Sequence, residues 1–477
     1  MTQTNPPAAR LRARGSPPAP AAGLEPVAHS AAGTHRGTVA IHTHGCKLNQ
    51  ADSDTLARRF IEAGYQIVDW PAGADVLVLN TCTVTAAADS KARQALRAAQ
   101  RANEKALIVA TGCYAERASQ DLERLGSAIL VMGNSRKDQL VSAVTATLAD
   151  REGSRSEHYP DPLRAGPAGK AWDPLEFDTA QSAAGRSRAM IKIQEGCNQV
   201  CAYCIVPKVR GRERSVPPDT VVQQILLRAD QGCREVVLTG TQLGAYGYDI
   251  SGASLLRLLQ RILAESAAPR IRVSSLQPQE ITSELLELWE DRRLCPHFHV
   301  PLQSGSDRIL AAMRRRYDTD RFACTVELVR RTVPDAGITT DLIVGFPGEG
   351  DSEFQESHRF ARSMQFSDMH IFPYSSRPGT SAAYLAGNVA DPVKKARAAE
   401  MLGVAAEGFK AFRSQQLGKT RAVLWETARE SGPAPVWSGL TDNYIRVRIE
   451  DRRDLRNSIA PARLVDLSGD WVTAQSP

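Results

Sequence analysis

Three cysteines, Cys197, Cys201 and Cys204, stand within eight residues in the pattern C-x3-C-x2-C, just after a run that reads as a strand. This pattern restricts the fold tightly, because one loop must present three thiols to one point. Three thiolates so placed can wrap one face of a cubane iron–sulfur cluster and leave its fourth iron without a protein ligand. Zinc normally takes a fourth Cys or His from close by, and the segment from Glu195 to Arg212 offers none. The open iron is a place for a small molecule to bind.

Three further cysteines, Cys46, Cys82 and Cys113, are distant in sequence, yet each follows a predicted strand of an alternating β/α series. Parallel strands put their carboxyl ends on one edge of a sheet, so these thiols should converge. One cysteine at a strand end is an ordinary small buried residue; three in equivalent positions point to a second ligand set. Cys233, Cys295 and Cys324 have no matching partners and read as core packing. Nine cysteines without an apolar export segment indicate the reducing cytoplasm, with thiols kept for metals or catalysis rather than disulfides.

A chain of 477 residues exceeds what one core sustains, so several parts are expected. No run approaches the ~18 consecutive apolar residues of a membrane span, so no membrane partner is expected. The net charge of +6 mildly favours a polyanionic partner without naming one. Residues 1–37, rich in Ala, Pro, Gly and Arg, read as a disordered extension. Over residues 38–148, strands at 38–43, 76–80 and 106–111 alternate with helices at 52–63 and 87–102, which predicts a small parallel sheet covered by helices. Residues 149–187 are polar and rich in Gly and Pro, as a linker would be. A second alternating series fills 188–410, with strands at 190–194, 235–239, 270–274, 297–301, 337–344 and 368–373, and it predicts a partial (βα)6 barrel. Residues 411–477 turn to short β-rich runs from about Leu417, at 421–426, 443–449 and 462–467, the pattern of a small closed β-barrel of the oligonucleotide-binding (OB-like) kind. The fold class is therefore α/β with an all-β end.

Polar and Gly-rich residues at the carboxyl ends of barrel strands are where active sites are built. Ser275, Gln303, Ser304 and Asp341 stand in such positions and are candidates for ligand contacts, although each could equally serve a turn or a cap. The run Met313 to Tyr317, MRRRY, has a composition suited to phosphate contact and stacking, or to a solvated helix face. Near the end, Asn443, Tyr444, Arg446 and Arg448 offer a polar and stacking surface for RNA.

The segment GCNQVCAYCIVPKVRGRERS around the triplet resembles the radical S-adenosylmethionine (SAM) signature in the form found in methylthiotransferases. THGCKLNQADSD, LNTCTVTAAADSKARQ and ATGCYAERA, around the other three cysteines, resemble the amino-terminal domain of that family, and SGLTDNYIRVRIE resembles its TRAM domain. The resemblance runs from about Thr38 to Trp471. It implies two [4Fe–4S] clusters, one on Cys197, Cys201 and Cys204 that cleaves bound SAM to a radical, the other on Cys46, Cys82 and Cys113 that holds the sulfur to be inserted. It places Tyr203 near the adenine of SAM, an acidic residue where this chain has Gln277, and an RNA-delivering barrel at the carboxyl end. The implied partners are the anticodon loop of tRNA and an electron donor such as flavodoxin or ferredoxin. CKLNQ, CNQVCAYC, FPYSSRPGT and TDNY look most like the group acting on threonylcarbamoyladenosine. Related enzymes act on isopentenyladenosine in tRNA or on a ribosomal-protein aspartate. Outside the enzymes, a non-catalytic iron–sulfur RNA-binding protein is the competing class, although an electron carrier normally closes a cluster with four cysteines.

Overall fold

The computed structural model describes residues 36–70, 73–126, 129–153, 187–430, 432 and 434–477. The amino-terminal extension and most of the expected linker lie outside these residues.

The first unit is a five-stranded parallel sheet in the order β2-β1-β3-β4-β5. Its elements are β1 (Thr38–Thr43), α1 (Lys47–Glu62), β2 (Gln66–Val68), β3 (Val76–Thr81), α2 (Ala86–Ala102), β4 (Leu107–Gly112), α3 (Cys113–Arg117), α4 (Ser119–Glu123), β5 (Ile129–Gly133) and α5 (Leu140–Gly153). The central strands VLVLNT and LIVATG are buried throughout, as strands covered on both faces must be. One face packs Leu77, Leu79 and Ile108 against Leu96 of α2; the other packs Val76, Val78 and Val109 against Leu56 and Phe60 of α1. Helix α5 continues to Gly153, past the expected start of the linker.

The second unit holds six parallel strands in two runs. Strands β6 (Arg188–Lys192), β9 (Glu235–Thr239) and β10 (Ile271–Val273) form one, and β11 (His297–His299), β12 (Gly337–Val344) and β13 (Asp368–Pro373) the other. A parallel bridge between Ser275 and His299 joins them, giving a partial barrel. Between the strands come β7 (Gln194–Glu195), α6 (Val206–Arg210), β8 (Arg214–Ser215), α7 (Pro218–Asp230), α8 (Leu255–Glu265), α9 (Ser283–Glu287), α10 (Asp307–Ala312), α11 (Thr319–Thr332) and α12 (Asp351–Ser363); α13 (Asp391–Gln416) follows. One apolar core, including Leu238, Leu259, Phe322 and Leu342, fills this unit. Cys233 and Cys295 join that burial, whereas Cys324 is exposed on α11, contrary to the core-packing expectation.

The last unit is a closed barrel of β14 (Thr420–Arg429), β15 (Val436–Thr441), β16 (Arg446–Glu450), β17 (Ser458–Ser468) and β18 (Trp471–Gln475), in the order β14-β15-β16-β18-β17. The strand expected at 443–449 starts only at Arg446, because Tyr444 adopts φ +76° in the preceding turn. Among the described residues no helix is long and apolar enough to cross a membrane.

Candidate functional site

Strands β1, β3 and β4 are neighbours in the sheet, and their carboxyl ends lead to Cys46, Cys82 and Cys113. The three thiols do converge: Cys82 feels the charge of both Cys113 and Cys46, and burial pushes its thiol up to about 11. Gly112 permits the approach, with φ +93° and room for no side chain, since an added Cβ would lie 2.4 Å from the Thr81 carbonyl oxygen. Around this edge His44 Nδ1, Asn80 Oδ1, Thr111 Oγ1 and Asn134 Oδ1 are buried without a hydrogen-bond partner. So many orphaned polar atoms at one edge mark a place that expects a polar ligand.

The second thiol set sits in the loop between β7 and α6. Gly196 opens it at φ +78°, where a Cβ would collide with the Arg212 carbonyl. Cys197 and Cys204 feel Cys201, and burial lifts Cys204 to about 12. The Arg315 guanidinium lies 3.3 Å from Cys201 Sγ, 3.4 Å from the Tyr203 hydroxyl and 3.2 Å from Gln277 Oε1. The MRRRY run is therefore split: Arg314 and Arg316 face solvent, while Arg315 turns to the thiols and Tyr317 donates its hydroxyl to the Pro301 carbonyl. Neither thiol set fits a single tetrahedral ion. Zinc bonds of ~2.3 Å put sulfurs about 3.8 Å apart, and among the described residues the one group of three whose ligand atoms all lie within 4.8 Å is His299, Asp341 and His370. A wider spacing suits a cluster, and an all-thiol donor set of three suits iron–sulfur chemistry with one iron open.

The two loops meet. Cys113 packs against Ile205 and Val209, next to Cys204. A cavity of about 170 Å³ lies between them, walled by Val84 and Thr85 after Cys82, by Tyr203 and Cys204, and by Gln303, Asp341, Phe372 and Tyr374 of the barrel. Of the expected ligand contacts it brings together Tyr203, Gln303 and Asp341. Gln303 adopts φ +66° and its amide donates to the Asp341 carbonyl, a strained backbone of the kind that clusters at working sites. Ser275 is not on the cavity wall; it pairs with His299 in the bridge between the two sheet halves. Ser304 is fully buried and hydrogen-bonded to Ser357, a packing role. Gln277 does not carry a carboxylate, but Glu280 brings one beside it, accepting from the Gln277 amide and the Gln242 side chain. Burial raises that carboxyl to about 7.

The loops are locked by charge. Arg210 of α6 reaches α1, bonding Asp52 at 3.2 Å and Asn49, and also holds Glu195 at 2.6 Å. Asp52 additionally receives Lys192 at 2.8 Å and Lys137 at 3.0 Å. Burial opposes its ionisation, but these three cations hold it far below the usual carboxylate range. Arg377, in the FPYSSRPGT segment, similarly reaches Asp89 of α2 at 2.7 Å.

The carboxyl-terminal barrel is seated through the barrel strands. Buried Glu235 pairs with Arg270 and Arg272, whose remaining N–H groups donate to the Leu440, Thr441 and Asp442 carbonyls. Asn443 is buried and donates to the Asp335 carbonyl and Gln416, so it is a clip between units and not RNA-facing surface. Tyr444 stacks on His297 with ring centres 4.2 Å apart. Arg446 and Arg448 do face solvent, Arg448 over Trp471. Sequence reasoning missed Arg210, Lys47 and Glu280, and it read Arg315 within its run as an RNA contact or solvated face where the structure turns it to Cys201. A glycine before a cysteine three times, at Gly45, Gly112 and Gly196, was the available signal for how the loops turn.

Residues 38–133 match the family described as Uncharacterized protein family UPF0004, and residues 191–361 match the Radical SAM superfamily. The threonylcarbamoyladenosine tRNA methylthiotransferase MtaB of Aquifex aeolicus is 39% identical over 419 residues, 87% of this chain and 98% of that protein. The MtaB of Bacillus subtilis is 34% identical over 431 residues, covering 90% and 94%. The tRNA-2-methylthio-N(6)-dimethylallyladenosine synthase of Syntrophotalea carbinolica is 33% identical over 434 residues, covering 89% and 96%. Radical SAM chemistry brings with it SAM and a [4Fe–4S] cluster, which the open three-thiol sets fit. With both matched regions and near-complete coverage of such relatives, this chain belongs to the radical SAM methylthiotransferase family.

Proposed function

We propose that the chain transfers a methylthio group to C2 of N6-threonylcarbamoyladenosine at position 37 of tRNA. The observation that carries this reading is the meeting of the triplet loop with the sheet edge that bears Cys46, Cys82 and Cys113, where Cys113 packs on Ile205 and Val209 and where Val84, Thr85 and Cys204 wall one cavity. The names of the relatives support the nucleoside. Cys197, Cys201 and Cys204 would hold one [4Fe–4S] cluster and Cys46, Cys82 and Cys113 a second. When bound, the first supplies a radical from SAM that can attack an unactivated C–H, and the second carries the sulfur.

The chain's own residues set the stage. The Arg315 guanidinium beside Cys201 offsets the negative charge of the thiolate set. Val84, Phe372 and Tyr374 give the cavity an apolar wall, while Gln303 and Asp341 supply polar contacts for SAM or the nucleoside. Tyr203 forms the wall beside Cys204 and suits contact with an adenine. Ser275 supports the site indirectly, by bridging the strand that carries His299.

We assign residues 38–148 to the sulfur-carrying domain, 188–410 to the radical SAM barrel and 411–477 to a TRAM-type RNA-binding barrel. Arg446 and Arg448, exposed on β16, suit contact with the anticodon stem-loop. A cytoplasmic setting and a flavodoxin or ferredoxin as electron donor complete the reading.

The test is mass spectrometry of tRNA nucleosides from a host lacking its own tRNA methylthiotransferases, with and without this gene, under iron-replete growth. The methylthio-threonylcarbamoyl product is expected. Only the methylthio-isopentenyl product would keep the reaction and reassign the substrate; neither product, with about eight irons bound, would overturn the reading.

A further inference from the structure

A cluster of polar side chains gathers where the three units meet, and one member, Asp341, also lines the cavity. Lys47 enters it from the first turn of α1, Tyr444 from the turn before β16, and His297, His299, Asp341 and His370 from the barrel strands. Most of its charged groups are already partnered. Arg272 holds Glu235 and two carbonyls of the carboxyl-terminal barrel. Asp341 is taken by His299 Nε2 at 3.3 Å and His370 Nδ1 at 3.1 Å. Lys47 differs. Among the described residues its ammonium makes no hydrogen bond and no ion pair, and its Nζ stands 5.9 Å from the centre of the Tyr444 ring. It feels the charges of Glu235 and Asp341 only at a distance, and a cation largely withdrawn from water with no carboxylate in contact is costly to keep, unless an anion arrives with a ligand.

We propose that Lys47 binds the carboxylate of the threonylcarbamoyl arm and so selects that nucleoside over adenosines whose N6 arm is uncharged. This deepens the function proposed above and rests on it. The chemistry of the arm matches the Lys47 cation: it ends in a carboxylate, whereas an isopentenyl arm carries no charge. The arm-bearing carbon C6 and the reacting carbon C2 flank the same ring nitrogen, so holding the arm restricts where C2 points. Lys47 directly follows Cys46, so the anchored arm lies beside the loop assigned to the sulfur-carrying cluster. Tyr444 adds an aromatic ring from a different unit, so the cluster around Lys47 is complete only when the carboxyl-terminal barrel is seated.

The test uses the full chain with both clusters reconstituted and tRNAs differing only at position 37: the threonylcarbamoyl acid, its neutral methyl ester, and isopentenyladenosine. A charge-assisted bond lost from a sheltered site corresponds to about 10–100-fold, so the wild type should favour the acid over the ester in kcat/KM by that factor. Lys47→Gln should erase the preference, chiefly through KM for the acid, with the ester as internal reference. Lys47→Arg should restore most of it. Equal turnover of acid and ester by the wild type, or equal loss of both in Lys47→Gln, would overturn the proposal. If Lys47→Gln fails to load iron, the wild-type ratio decides alone. A wild type active on isopentenyladenosine and inert on the acid is a different failure: it removes the substrate assignment itself, and the proposal with it.

Discussion

At the scale of single residues, the two thiol sets should fail differently. Cys201→Ala is expected to abolish reductive SAM cleavage, whereas Cys82→Ala should keep 5′-deoxyadenosine formation and lose sulfur insertion. Iron content, deoxyadenosine release and nucleoside analysis read the two apart, and identical loss of both activities would sink the division of labour. Glu280 gives a prediction in pH. Burial raises its carboxyl from 4.5 to about 7 against hydrogen bonds from Gln277 and Gln242. A raised acid binds its proton more tightly in the fold than in the unfolded chain. Its contribution is therefore fully present below about pH 4.5 and is lost as pH rises through about 7. Denaturation midpoints of Glu280→Gln should lack that decline, and parallel pH profiles for variant and wild type would contradict it.

At the scale of elements, the glycine that precedes each of Cys46, Cys113 and Cys197 carries a cost for any replacement. Gly112→Ala would place a Cβ 2.4 Å from a backbone oxygen at φ +93°. Strain of at least about 1–3 kcal/mol follows, with the edge between β3 and β4 forced apart. Lowered melting temperature together with loss of about half the bound iron would be the signature; full iron retention would refute it. These elements also show what the sequence made legible. Strands β1, β9, β12 and β13 have the expected bounds, because unbroken or alternating apolar runs between polar ends leave little choice. The short edge strand β2 and the two-residue strands β7 and β8 escaped, having too few residues to show a period. The clustering of Cys197, Cys201 and Cys204 was readable from spacing, and the convergence of Cys46, Cys82 and Cys113 from strand position. Arg210, Arg315 and Asn443 were not, since an arginine or asparagine in isolation reads as surface, and only the tertiary arrangement turns it inward.

At the scale of the whole molecule, Asp52 holds the first unit to the second. Asp52→Asn would leave Arg210 buried beside a neutral partner and withdraw an anion from Lys192 and Lys137. Removing one partner of a buried ion pair costs about 3–5 kcal/mol. The expected outcome is an earlier unfolding midpoint by chemical denaturation and methylthiolation that falls more than SAM cleavage does; a variant matching the wild type in both would refute it. The placement of this lock has a wider consequence. Arg210 ends the short helix after Cys204, and Asp52 and Asn49 sit on the helix that starts after Cys46. The guanidinium thus works as a spacer bar that gauges the gap between the two three-cysteine sets. A chain whose spacer has softened would not merely idle. It would misfire, consuming one cosubstrate after another while the nucleoside left unchanged.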